Sequence, residues 1–491
     1  MAAENGGRLS TTAKIRISFV AVASLLALYA DYISAIGILN QILLGLVVLF
    51  VSGMIIKKIG SLNGGYGVYM ISTGKGIGTI NRIAKSHKSF WNNMALWGIV
   101  LGFGIFSYPI VKGKISKGTF AFGIFTILFI LLLVTPYFSY SLQFIDLPGL
   151  QARIASAQTA SASSGVSPLS YLSLVITVVF GFSGFVFFSL LLNSFSILLA
   201  VFAIFQHFAA NGIVTTKPLQ GVIPGVAPII PGLDIPLIAG VIALAILLVA
   251  HEFSHGILSR IFKVRIKSVG LLLFGIIPIG AFVEPDEEKV KKLDAISQNK
   301  IFSAGISANF VLMFVFFVPM LLLLVFALPH IYVQKLIVES TTPGFPANGV
   351  IAPGAQILSW DGVNVSTLSQ LEAAAAKDVP GSVVTVLTNQ GGHSFIAKPE
   401  NGSSRGFIGV DVGQVSSPVV NTPLKSTEYF LYTVFALSFM FNFLVAVVNL
   451  LPLPGFDGKR IYDASVKDKR ITNFLAAVVV VTLLINIIPW I

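Results

Sequence analysis

Apolar residues in this chain gather into long runs parted by short polar segments, not into the three-to-four spacing of a surface helix. Such runs cover residues 17–30, 38–56, 94–111, 120–138, 235–258, 301–328, 429–451 and 472–491. Most of them approach the length at which a helix crosses about 30 Å of hydrocarbon at about 1.5 Å per residue. Residues 169–208 form a run of twice that length, which predicts two spans folded near Asn193. The first run follows Arg8, Lys14 and Arg16, as in a signal peptide, but it lacks a small-residue cleavage pattern and reads as an uncleaved span.

Other stretches depart from the pattern. Residues 270–283 are apolar but interrupted by Gly270, Gly275, Pro278 and Gly280, which predicts extended backbone, a short sheet or re-entrant hairpin, rather than a spanning helix. At membrane depth such backbone needs protein cover or a cavity. Residues 335–416 are polar, with alternation at Gly381–Leu387 and a helical stretch at Leu368–Lys377, and predict an inserted soluble domain. Residues 57–93 are glycine-rich and basic and read as a partly interfacial loop. Residues 151–167 form a Ser/Ala-rich linker, and a Pro/Gly-rich loop at 224–232 leads into the 235–258 run. The expectation is a polytopic α-helical membrane protein of about nine or ten spans with a small inserted α+β domain and a membrane-associated β-hairpin. Its regions are an N-terminal accessory part (1–230), two core halves (235–330 and 427–491), and the insert (335–416).

Composition agrees. Hydrophobic residues make up 55% and charged residues 11%, against about 25% charged in soluble domains. The net charge of +12 sits in short loops between apolar runs, notably 260–300 and 459–470, which fits cytoplasmic loops and excludes nucleic acid as a partner. With no cysteine, disulfides and thiolate ligands are excluded, so a metal site must use His, Asp or Glu.

The chemistry lies in Val249-Ala-His-Glu-Phe-Ser-His-Gly256. On a helix, His251 and His255 are four apart and share one face, as two ligands of one zinc must, and Glu252 lies beside them as a proton acceptor. Three ionisable groups in an apolar run are costly unless they act. His207, alone at the end of its run, reads as structural. A catalytic zinc takes three protein ligands. The best third candidate is Asp457, in Asn449-Leu-Leu-Pro-Leu-Pro-Gly-Phe-Asp-Gly458, where prolines and a glycine break a span and leave a carboxylate at the membrane margin; taken alone, this stretch reads more readily as a Gly/Pro turn that ends a helix.

Together these pieces resemble the site-2 protease family of intramembrane zinc metalloproteases, over residues 235–491. The resemblance rests on His251-Glu252-x-x-His255, on Asn449-x-x-Pro452-x-x-x-x-Asp457-Gly458, and on the order of spans between them. It implies Zn2+ on His251, His255 and Asp457, with Glu252 as general base and later proton donor. Phe456 stands where the family has leucine, a conservative change. Gly305-x-x-x-Asn309 is similar to the family's glycine-to-asparagine pattern, without the proline common after the glycine. Asn309 and Asn449 are therefore candidates for positioning substrate, Asn309 equally for a helix-packing hydrogen bond. Pro353-Gly354 through Val365, followed by Leu368–Lys377, resembles a PDZ domain, which accepts chain ends by strand addition.

The resemblance implies cleavage of peptide bonds in transmembrane segments of membrane proteins, pre-cleaved ones included, in regulated intramembrane proteolysis. The unwound substrate would pair with the 270–283 segment through Ile277, Ile279 and Ala281. The charge pattern puts the metal end of the 235–258 span at the cytoplasmic face and the insert on the other side, where a chain end could bind it. Upstream of residue 230 the topology stays open, because the basic 57–93 and 112–117 loops are parted by one span. The alternative is a non-proteolytic membrane transporter or scaffold with a degenerate metal site.

Overall fold

The computed structural model describes residues 10–32, 38–142, 144, 145, 168–212, 214, 225, 229, 232, 234–399 and 405–490. The predicted 151–167 linker and most of the 224–232 loop lie outside these. The helices are α1 (Thr11–Tyr32), α2 (Ile38–Gly60), α3 (Ile77–Ser86), α4 (Lys88–Phe103), α5 (Tyr108–Val111), α6 (Lys117–Phe129), α7 (Pro136–Leu142), α8 (Pro168–Asn211) and α9 (Leu237–Ile261). They continue with α10 (Glu287–Lys291), α11 (Ala295–Phe302), α12 (Ala304–Phe326), α13 (Leu328–Ile331), α14 (Leu368–Ala375), α15 (Pro423–Val448), α16 (Asp457–Ser465) and α17 (Lys469–Ile487). Among the described residues, nine helical segments are long and apolar enough to cross a membrane: Thr11–Asp31, Leu43–Gly60, Lys88–Val111, Lys117–Leu142, Tyr171–Asn211, Leu237–Ile261, Ala304–Phe326, Pro423–Val448 and Lys469–Ile487. The protein is a polytopic helical membrane protein with an inserted β-rich domain.

The chain divides into two compact units. One comprises Met1–Phe138, Pro148–Phe316 and Leu437–Ile491; the other comprises Ser139–Leu147 and Phe317–Ala436.

In the first unit the long apolar run at 169–208 does not fold at Asn193. It stays helical there and breaks at Gly181, whose φ of 68° is left-handed. A Cβ at Gly181 would stand 2.4 Å from the Gly102 backbone, and one at Gly104 would stand 2.4 Å from the Val178 carbonyl oxygen. The break therefore lies where α4 and α8 meet backbone to backbone. Asn193 suits a helix interior because its Nδ2 donates to Asn486 Oδ1 at 2.6 Å, and Asn486 Nδ2 in turn donates to Ser194 Oγ at 2.7 Å. Buried amides of this kind join helices where no water can serve them.

The Gly270–Val283 segment is a hairpin, β3 (Ile266–Phe274) and β4 (Ile277–Pro285). Its two-residue turn has Gly275 at φ 60°, the sense that matches strand twist. The expected 57–93 loop contributes two strands, β1 (Gly64–Gly65) and β2 (Val68–Thr73), as well as α3. β2 pairs antiparallel with β3, from Val68 opposite Phe274 to Thr73 opposite Val269, and the sheet runs β1-β2-β3-β4 with β4 at its edge. β2 is rich in β-branched and aromatic residues between Gly67 and Gly74. The sheet and α3 pack on α9 through Ile80, Ile257, Ile266, Val269 and Val283.

The second unit holds a sheet of order β12-β5-β6-β8-β9, with β5 (Tyr332–Thr341), β6 (Gln356–Trp360), β8 (Val383–Thr388), β9 (Gly391–Ile396) and β12 (Val410–Pro418); β7 (Val363–Asn364) pairs with β6, and β10 (Lys398–Pro399) and β11 (Gly406–Phe407) form a separate pair. β8 alternates exposed and buried residues, as the sequence predicts. Leu336, Val338, Ile357, Trp360, Val384 and Val386 fill its core. Thr367 caps α14 through the Gln370 backbone N–H. β12 is an edge strand, and its Gln414 Oε1 accepts the Leu368 N–H at the start of α14.

Candidate metal centre

α9 carries His251 and His255 on one face, their Nε2 atoms 3.3 Å apart. Asp457, the first residue of α16, sets Oδ2 3.1 Å from each of them. Ligands held about 2.0–2.1 Å from one tetrahedral ion stand about 3.3–3.4 Å apart, so three donor atoms already converge on a single ion position. Among the described residues, these are the one His/Asp/Glu set that could hold a metal.

The loop that delivers Asp457 explains how a residue so distant in sequence reaches the histidines. After α15 the chain turns at Pro452, Pro454 and Gly455, the last at φ 91°. The Gly458 N–H donates to the Asn449 carbonyl at 2.7 Å and closes the loop. A Cβ on Gly458 would stand 2.3 Å from the Leu450 carbonyl oxygen, so this closure requires glycine. Asn449 is half-buried, and its contribution here is a backbone carbonyl. Burial on its own would push the Asp457 carboxyl up. The charge of His255 and hydrogen bonds from both rings outweigh it and hold the group well below the usual carboxylate range, in the ionised state that a metal ligand needs.

Both rings are held from behind. His255 Nδ1 lies 2.7 Å from the Ile301 carbonyl at the end of α11, an acceptor that would hold the proton on Nδ1 when Nε2 is given to a metal. His251 Nδ1 lies 3.1 Å from the Asn309 amide on α12. Asn309 is fully buried, so the structure sets it against a histidine ring. Gly305, one turn earlier, gives the tips their room: a Cβ there would stand 2.5 Å from both Nε2 atoms. The pocket is thus a cradle that even a methyl group would fill, and its donors are the hard-to-borderline set that zinc prefers.

Glu252 Oε2 accepts the backbone N–H of Val283 at 3.1 Å, which joins the glutamate to β4. That N–H consequently points away from β3. By the alternation of an antiparallel ladder, Ala281 shares the open edge with Val283, while Phe282 and Gly280 face β3 opposite Gly270 and Leu272. The register slips between Leu272 and Leu273, which leaves Ile279 without a partner in β3, and Pro278 has no N–H to offer. Of the three positions read from the sequence as pairing residues, Ala281 shares the edge that reaches Glu252. Ile277 and Ile279 lie beyond the bulge, with exposed side chains.

Sequence reasoning assigned no role to Gly305, Ile301, Gly458 or the Val283 N–H. Gly305 carried a signal in its place four residues before Asn309, and Gly458 in its place directly after Asp457 in the second motif.

Membrane-spanning helices around a buried His-His-Asp group, with a glutamate beside the first histidine, define an integral membrane protein of the metallopeptidase type. The chain belongs to peptidase family M50, the site-2 protease family, whose model matches residues 239–488 and so takes in both histidines, Glu252 and Asp457. Members of that family are zinc metalloproteases, in keeping with the donor set. The chain is also 31% identical over 230 residues to an uncharacterized protein of Methanocaldococcus jannaschii, a match covering 47% of this chain and 58% of that protein. It therefore spans less than two thirds of that relative.

Proposed function

We propose that the protein is an intramembrane zinc endopeptidase that hydrolyses peptide bonds in transmembrane segments of membrane proteins, pre-cleaved ones among them, in regulated intramembrane proteolysis. The observation that carries this reading is the Glu252–Val283 hydrogen bond, because it joins the catalytic glutamate of a metal centre to an open sheet edge. A helical segment hides its carbonyls in its own hydrogen bonds and must be drawn out before it can be cut. The β4 edge at Ala281 offers a backbone N–H and C=O for an extended chain, and a strand bound there would run past Glu252.

His251, His255 and Asp457 hold the zinc, which supplies a Lewis acid able to acidify water and polarise a carbonyl at neutral pH. Glu252 accepts the proton from the attacking water and delivers it to the leaving amine. The Val283 N–H orients the carboxylate for both tasks. Asn449 stands at the mouth of the Asp457 loop as a substrate-positioning group. Gly305 leaves the centre open on the α12 side.

The basic loops at 260–300 and 459–470 support a metal centre near the cytoplasmic face, with the 335–416 domain on the opposite side. That domain is read as PDZ-like. Its edge strand β12 beside α14 suits a chain end added as a further strand, such as the end exposed by a first cut in a substrate.

The test is cleavage of a membrane-embedded reporter in proteoliposomes by wild-type protein and by Glu252→Gln, with zinc measured on both. About one zinc per chain in each and cleavage by wild type alone is the expected result. A wild-type protein that holds no zinc would leave a transporter or scaffold as the better reading.

A further inference from the structure

Resting on the zinc reading above, we infer that Asn309 is a positioning residue for His251: its side-chain carbonyl receives the Nδ1–H of that ring and thereby directs the Nε2 lone pair to the metal. Asn309 carries a buried atom with no partner. Asn309 is fully buried on α12, its Nδ2 lies 3.1 Å from His251 Nδ1, and its Oδ1 has no hydrogen-bond partner. A buried amide oxygen left unpaired carries a desolvation cost that proteins rarely leave standing. The two ends of an amide have the same shape, and a half turn about its last bond exchanges them.

The ring decides which end it needs. A histidine that gives Nε2 to a metal carries its proton on Nδ1, and that N–H requires an acceptor. An amide N–H facing it would set donor against donor. With Oδ1 toward the ring, the acceptor and the Nδ1–H share one bond in place of a donor-against-donor contact, and the Nδ2 hydrogens take the position that Oδ1 leaves.

His255 shows the same arrangement by other means, its Nδ1 lying 2.7 Å from the Ile301 carbonyl. One ligand histidine is thus oriented by a main-chain carbonyl, the other by a side chain. α12 provides both Gly305, whose missing Cβ opens the centre, and Asn309 one turn along the same face. Asn309 acts on the centre through His251 and does not touch the reacting peptide.

The experiment is a chelator competition on purified full-length protein in detergent, with bound zinc as the readout, for wild type, Asn309→Leu, Asn309→Ala and Asn309→Asp. Loss of such an outer partner costs about 10–100-fold in metal affinity. Asn309→Leu and Asn309→Ala are expected to fall by that factor, whereas Asn309→Asp keeps an acceptor and stays near wild type. Asn309→Ala guards against a leucine that does not pack. Thermal unfolding of the metal-free forms separates a packing role, since the inference expects no loss of metal-free stability that tracks the loss of zinc. Wild-type zinc affinity in both apolar variants would overturn the inference, and a fall in cleavage with zinc unchanged would return Asn309 to the substrate. An equal fall in Asn309→Asp would also overturn it, by showing that the acceptor is not what matters. If wild type itself binds no zinc, the underlying reading fails before Asn309 is at issue.

Discussion

The sharpest test of the centre is a single methyl group. In Gly305→Ala the added Cβ would stand 2.5 Å from His251 Nε2, His251 Cε1 and His255 Nε2 at once. Ordinary contact begins at about 3.4 Å, so α12 and the rings would have to part by about 0.9 Å. A metal site tolerates about 0.2 Å in its ligand distances, so the displacement is several times what the donors can absorb. Zinc affinity should fall by at least the roughly 10–100-fold seen when only an outer partner is lost. The metal-free protein should lose no more than the about 1–3 kcal/mol of an overpacked contact, offset in part by the about 0.5–1 kcal/mol by which alanine favours a helix over glycine. Chelator competition, with zinc counted by elemental analysis, reads the affinity, and thermal unfolding of the stripped protein reads the stability. Gly78→Ala is the control, since that glycine lies inside α3 with nothing within 4 Å of its added Cβ. A Gly305→Ala protein that gives up zinc at the wild-type chelator concentration would refute the convergence of the three donors.

Three further outcomes are expected. Ala281→Pro removes an N–H that points away from β3, so reporter cleavage should drop at least tenfold, about what one transition-state hydrogen bond is worth, while zinc content holds; undiminished cleavage would remove β4 from the substrate path. Gly181→Ala adds left-handed strain and a contact with the Gly102 backbone, about 1–3 kcal/mol from each, and should lower the thermal midpoint well below that of Gly78→Ala. For Asp463, burial pushes the carboxyl up, but Lys459 Nζ at 2.7 Å and the Thr472 hydroxyl at 2.6 Å prevail and hold it below its usual range. Its folded-state pKa then lies below its unfolded one, so its stabilisation is complete above the unfolded value and is lost as pH falls through the folded one. The wild-type thermal midpoint should decline more steeply than that of Asp463→Asn across that acid range, and parallel curves would contradict the ion pair.

How much of this was legible in the sequence depends on the distance over which each feature is decided. The pairing of His251 with His255 is set by one helical turn and could be read directly. The hairpin at 270–283 could be read too, because its glycines and proline exclude a spanning helix whatever surrounds them. Asp457 was legible as a carboxylate freed by a broken span, but its approach to the histidines depends on the Asn449–Gly458 closure. The fold expected at Asn193 failed because a polar residue in a long apolar run looks like a turn. Its amide is in fact taken up by Asn486, nearly three hundred residues on. The break falls instead at Gly181, one of 45 glycines, which stands out only once Gly102 is placed against it. The hydrogen bond from Val283 to Glu252 had no signal at all, because its donor is backbone.

The strand β2 carries the argument beyond the family match. Residues 64–86 precede the matched segment, 239–488, by more than 150 positions, yet β2 pairs along β3 and α3 packs against α9. Arg260 Nε donates to Asn81 Oδ1 at 2.6 Å, and Gly275 N–H donates to Gly67 O at 3.1 Å, so both ends of the hairpin region are tied to this upstream segment. A two-stranded hairpin is marginal alone, whereas one with a further strand and a helix behind it holds its shape. β4 reaches Glu252 through a single N–H, so the orientation of the glutamate inherits whatever rigidity the sheet has. The upstream strands therefore stand to Glu252 as Ile301 stands to His255: each fixes a side chain of the centre from behind.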